Sequence, residues 1–382
     1  MTPAGAVRVE QALRPLDELR RLGLRVLAGS WPLGRTLAAR RSVRVPVLLS
    51  LHALAALAIA VLAPSLLIVV GPLVLGVPHL AADVRHLIVR RAWPRWWFVA
   101  CAGFGLALLA LRGLGETGSR IASLPVEHAV ASAWVLLGAV GGATAAATSR
   151  AERARSPGGI GWAMRGWIAV AAAAGLGAFA LGAPRLCRLA LLHGHNLVAI
   201  VVWLALFRQG RRLALVPVAL ALVGGGVLAS GALLGVTLGH GALSVAGLHL
   251  FAAADWLAPG LPDSWAIAAA TSFAFLQSVH YAIWLVAIPA GDRPGEGGRS
   301  WRVAFRALVR DFTPAGTSAV TVLAMLVAVF GLAHPASTRR LVLSLATFHV
   351  WLELAVLAYL VARGAAAPAV AGARTGAPSL SQ

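Results

Sequence analysis

Long apolar stretches alternate with short arginine-bearing ones along the whole chain. No formal charge falls between Arg44 and Asp83, nor between Arg212 and Asp255. Asp263–Asp292 and Asp311–Arg339 are likewise uncharged between their ends. Runs of this length exceed the roughly 20 apolar residues that cross a bilayer as a helix. A backbone in lipid must satisfy its own hydrogen bonds, so such runs fold as helices. The pattern predicts an all-α, polytopic transmembrane bundle of about ten spans, at 46–63, 66–89, 96–112, 128–148, 167–184, 188–207, 213–236, 265–290, 316–333 and 341–362. The segment 240–258 is apolar but short and glycine-rich, which predicts a half-helix or re-entrant element.

Three regions follow. Residues 1–44 hold nine arginines and scattered leucines, among them Leu13, Leu16, Leu19 and Leu22. They lack a continuous apolar core, so they read as a basic amphipathic segment on the membrane surface rather than a cleaved signal. Residues 45–363 form the bundle. Residues 364–382, rich in alanine, glycine and proline, are expected to be disordered.

Composition sharpens this picture. Hydrophobic residues make up 59% of the chain, charged residues 12%, and the mean hydropathy is +0.82. A net charge of +20 would suit nucleic acid, but there is no lysine and the arginines lie between apolar runs. They act as topology signals, with anionic lipid as the expected partner. With the N-terminus inside, alternate segments carry Arg85, Arg90, Arg91 and Arg95, then Arg150, Arg153, Arg155 and Arg165. Arg208, Arg211 and Arg212 follow, then Arg293, Arg299, Arg302, Arg306 and Arg310. The opposite segments keep only Arg112/Arg120, Arg185/Arg188 and Arg339/Arg340. Both termini are thereby expected in the cytoplasm, in a cell's inner membrane. Cys101 and Cys187 show no metal or disulfide spacing.

Ionisable groups inside apolar spans are costly and mark functional sites. At 1.5 Å per residue, His280 lies roughly 18 Å from Asp292, and His349 roughly 21 Å from Arg363. His193 and His195 lie about 20–22 Å from Arg208, and His79 roughly 17–18 Å from Arg90 and Arg91. Four helices therefore bring imidazoles to one slab near mid-membrane, whereas His52 is shallower. Within Gly76-Val77-Pro78-His79-Leu80-Ala81-Ala82-Asp83, His79, Asp83 and the later His86 share one helix face. Pro78 should kink that helix. His193 and His195 point some 200° apart on a helix, so one of them faces a given site. Asn196 and Tyr281 flank the candidate ligands, and Glu353 follows His349 by one turn. Asp83, His86 and Glu353 are expected either to orient the imidazoles or to hold a second metal. His249 and Asp255 in the short segment could line an entrance.

These residues resemble the Brp/Blh family of bacterial membrane β-carotene 15,15′-dioxygenases. The family's Gly-x-Pro-His-x-x-x-Asp signature is matched by Gly76, Pro78, His79 and Asp83, and its later histidines look comparable to His193 or His195 and to His280. Leu80 stands where the family usually has glycine, and the basic N-terminal extension is additional. The resemblance implies a non-haem Fe(II) held by histidines, O₂ as co-substrate, and a lipid-soluble polyene such as a carotenoid cleaved to retinal-type aldehydes. The residues alone also admit a di-metal hydroxylase or desaturase, a b-type cytochrome, or a transporter or proton relay.

Overall fold

The computed structural model describes residues 3–119, 121–148, 161–207, 212–292 and 300–364. Among the described residues the fold is all-α apart from one two-stranded ribbon. Three short helices open it: α1 (Pro3–Ala12), α2 (Arg14–Ser30) and α3 (Pro32–Ala39). Then come α4 (Arg41–Leu62), α5 (Pro64–Val89), α6 (Arg95–Glu116), α7 (Leu124–Thr148), α8 (Trp162–Gly182) and α9 (Pro184–Val202). After these lie α10 (Leu215–Ala229), α11 (Leu234–His240), α12 (Leu250–Leu257), α13 (Asp263–Ala282), α14 (Trp301–Ala333) and α15 (Pro335–Arg363).

Among the described residues, nine helices are long and apolar enough to cross a membrane, which makes the chain a multi-pass membrane protein. The tenth expected span, 341–362, falls within the 29 residues of α15, where several side chains lie outside the described residues. The expected tail 364–382 is also outside them, apart from Gly364, as are residues 149–160, 208–211 and 293–299.

Three expectations are revised. The span predicted at 213–236 stops at Ala229, because the chain turns through Gly231 at φ 76° before α11 begins. The segment 240–258 is no continuous half-helix: Ser244 pairs with His249 and Val245 with Leu248. Ala246 and Gly247 both take positive φ in the connecting turn, the geometry of a tight hairpin. The helix predicted from 316 begins instead at Trp301, with a break at Thr313 (φ 64°) before Pro314.

Contacts divide the chain into two compact units, residues 1–83 with 183–350, and residues 84–182 with 351–382. In the first, α13 is the central helix, with Ile267, Ala270, Phe273, Ala274 and Phe275 all buried, whereas α14 is mostly exposed. Helix α4 turns Leu49, Ala53, Ala56 and Ala60 inward, one stripe at helical spacing. Gly224 and Gly225 bring α10 against Phe275 and Leu276 of α13. Small residues at such crossings let helices approach where no hydrophobic force separates protein from lipid. The second unit uses the same device, with Gly138 and Gly142 of α7 against the backbone of Ala355 and Tyr359 in α15.

The N-terminal helices are fixed to the first unit. Asp17 accepts hydrogen bonds from the Trp301 backbone N–H (2.5 Å) and from Arg302 Nε (3.0 Å), and Glu10 pairs with Arg306 at 3.1 Å. Burial pushes the Asp17 carboxyl up, but these bonds outweigh it and hold the group below its usual value.

Candidate metal centre

The signature segment lies in α5, which is not a uniform helix. A wide π-type turn spans Gly71–Leu75, then α-helical geometry resumes over Gly76–Asp83, and a second wide turn covers Val84–Val89. Pro78 has no N–H to offer Val74, four residues back, and its ring would collide with that carbonyl in a regular helix. Val74 lies in the wide turn, so the expected kink takes this form. Glycine has a separate task here. A Cβ on Gly71 would stand 3.2 Å from the Tyr281 ring, and one on Gly76 would stand 3.1 Å from Val342. These glycines let α5 lie close to α13 and α15, which carry two of the histidines.

His79 (α5), His195 (α9), His280 (α13) and His349 (α15) converge, and all four are buried. Their rings close a quadrilateral. Centroid separations are 4.7 Å for His79–His280, 5.1 Å for His280–His195, 5.4 Å for His195–His349 and 4.9 Å for His349–His79. The His280–His349 diagonal is 6.3 Å. One nitrogen from each of His79, His280 and His349 lies within 4.8 Å of the others.

The ring tautomers follow from the hydrogen bonds. His195 Nδ1 lies 3.0 Å from the carbonyls of both Leu191 and Leu192, so it donates and leaves Nε2 bare. His79 Nδ1 stands 3.3 Å from the Asp83 carboxylate one turn later, which again favours Nδ1–H and a bare Nε2. His280 follows on α13, its ring 5.1 Å from that of His195. Its Nε2 faces His79 Nε2 at 3.2 Å. Two lone pairs at that distance repel unless a proton or a cation lies between them.

The donor set fits a transition-metal ion. Two nitrogens about 2.0–2.1 Å from one ion are roughly 2.9–3.4 Å apart at right-angle or tetrahedral geometry. The observed 3.2 Å falls in that range. Imidazole suits iron, copper, nickel and zinc, and the buried Asp83 carboxylate offsets part of an ion's charge in a low-dielectric interior.

Other expected residues are placed differently. His193 Nε2 bonds the Leu257 carbonyl at 2.9 Å and its ring meets Phe273, so it faces away from the four. Asn196 is buried with neither amide atom paired among the described residues. Tyr281 packs on His79 at 5.1 Å. His86 and Glu353 are buried and belong to the second unit, Glu353 one turn beyond His349 along α15. His249 is exposed and caps α12 by accepting from the Phe251 N–H, while Asp255 is exposed on that helix. His52 bonds the Ser278 carbonyl and hydroxyl at 3.0 and 3.1 Å, tying α4 to α13.

Trp284 was not singled out from the sequence, yet its ring stands 6.1 Å from His79. Its position four residues after His280 carried the signal, since the two share a face of one helix.

The molecule is thus a multi-pass helical membrane protein with a buried four-histidine cluster. Comparison of the chain with family models, with curated proteins and with solved structures finds no match in any of the three.

Proposed function

We propose that this protein is an integral membrane oxygenase that holds a non-haem Fe(II) through His79, His195, His280 and His349. Its substrate in this reading is a lipid-soluble polyene of the carotenoid type. The observation that carries the proposal is the 3.2 Å approach of the Nε2 atoms of His79 and His280 within a cluster of four buried imidazoles.

Bound iron supplies O₂ activation, so that one C=C bond is cleaved and both oxygen atoms end in two aldehydes. The chain's own residues do the rest. Asp83 holds the His79 ring, and the Leu191 and Leu192 carbonyls hold that of His195. Glu353 follows His349 by one helical turn, the spacing at which a carboxylate can orient an imidazole. Tyr281 and Trp284 wall the cluster with aromatic surface that suits an apolar ligand. The polyene class itself rests on the resemblance of Gly76, Pro78, His79 and Asp83 to the dioxygenase signature.

A proton relay is the competing reading. An Nε2–H···Nε2 hydrogen bond between His79 and His280 has the same length as the contact two ligands of one ion would show. The test is expression in cells that accumulate β-carotene, with retinal and ¹⁸O incorporation measured. Retinal labelled from ¹⁸O₂ and lost in His280→Ala supports the oxygenase. Unchanged carotenoid beside full expression contradicts it.

A further inference from the structure

Helix α2 has two opposed faces. One carries Asp17, whose carboxylate receives the Trp301 N–H and the Arg302 guanidinium at the start of α14. Together with Ser300, whose hydroxyl accepts from the Val303 N–H at 3.2 Å, it caps the N-terminus of α14. Directly opposite run Pro15, Leu19, Leu22 and Val26, spaced i, i+4, i+7 and i+11. Leu19 is 66% exposed, Leu22 52% and Val26 61%. Arg14, Arg21 and Arg25, all exposed, form the next row around the helix.

This stripe is not simply the outer wall of a span. Helix α2 is arginine-rich and is not among the helices apolar enough to cross a membrane. Its fixing to α14 is specific: the acids Asp17 and Glu10 are engaged with Arg302 and Arg306, so on the exposed surface of α2 the three arginines face a single exposed acid, Glu18. An apolar stripe beside a row of arginines, held on the first turns of a helix that then enters the membrane, matches a bilayer surface with anionic headgroups. Leucine enters the acyl boundary and guanidinium meets phosphate.

We infer that α2 is a lipid-binding element, held against α14 by Asp17, that seats its Leu19/Leu22/Val26 stripe in an anionic leaflet. Its occupant is lipid headgroup and acyl chain rather than free phosphate, because the stripe is apolar. This inference is independent of the metal reading.

The test uses the full chain in nanodiscs with an environment-sensitive fluorophore at Leu22→Cys. Cys101 and Cys187 are both buried and stay unlabelled. In phosphatidylglycerol-containing discs, quenching by lipid-borne spin label should be several-fold stronger than in phosphatidylcholine discs. The exposed-site variant R14Q/R21Q/R25Q should abolish that difference. A probe that stays in water in both lipids, one equally buried in both, or a difference that survives the triple variant each overturns the proposal.

Discussion

His193 and His195 stand two positions apart, and helical geometry sends them to opposite sides of α9. Their hydrogen bonds divide the work: His193 ties α9 to Leu257, while His195 spends Nδ1 on its own helix and keeps Nε2 for the cluster. His195→Ala should therefore lower metal content sharply, and His193→Ala should leave it near wild type while reducing stability by about 1–3 kcal/mol through the orphaned carbonyl. Metal stoichiometry and thermal unfolding of both variants check this. Asp83 stands 3.3 Å from His79 Nδ1 and orients that ring. Asp83→Asn should keep metal with affinity weakened about 10–100-fold, as loss of a ligand's orienting partner typically does. Complete loss, equal to that of His79→Ala, would instead make the carboxylate a ligand. At this scale the four positions were legible as intramembrane histidines at one depth. The sequence left His193 and His195 undecided, because their spacing shows that they face opposite ways without showing which faces inward, and the His193 bond to the Leu257 carbonyl breaks the tie.

Apolar runs disclosed the helices, but not their internal irregularities. The wide turns at Gly71–Leu75, Val84–Val89 and Ile283–Ala287 leave no mark in hydropathy, since their residues are as apolar as their neighbours. They flank His79 and follow His280, positions where such turns recur at functional sites. The hairpin at 244–249 was missed for another reason: two-residue strands carry no readable alternation, and the Ala246-Gly247 turn is not a strong signal. Helix crossings supply a sharper test. A side chain on Gly142 would collide with the Tyr359 backbone, whereas Gly175 of α8 has open space. Gly142→Val should destabilise the purified protein by about 1–3 kcal/mol through overpacking, and Gly175→Val should be near neutral. Thermal unfolding in detergent compares them. The Asp17 link to α14 is pH-dependent with a definite sign. Its carboxyl is held below the usual carboxylate value, so its stabilisation is complete above that value and is lost as pH falls through the lower, folded one. Hydrogen exchange of the α2 backbone amides, corrected for its intrinsic pH dependence, should accelerate only in that acid range.

Across the whole molecule, the arginine distribution remains the guide to orientation. By that bias 150–166 and 291–315 are expected in the cytoplasm with both termini, so cysteines placed there should resist impermeant reagents in intact cells. Labelling of either segment from outside would reverse the topology. The fold class was legible because lipid enforces helices, and the convergence of four helices was legible only as a common depth. Azimuth, which decides whether imidazoles meet, depends on crossings such as Gly71 against Tyr281 that no single helix encodes. The central claim is that these imidazoles bind one metal ion. X-ray absorption on the purified protein, with elemental analysis of the same sample, measures this directly. The account predicts about one iron per chain with nitrogen scatterers near 2.0–2.2 Å, absent from His79→Ala/His280→Ala. A metal-free wild-type protein that stays metal-free after incubation with Fe(II), or iron retained undiminished in the double variant, would contradict it.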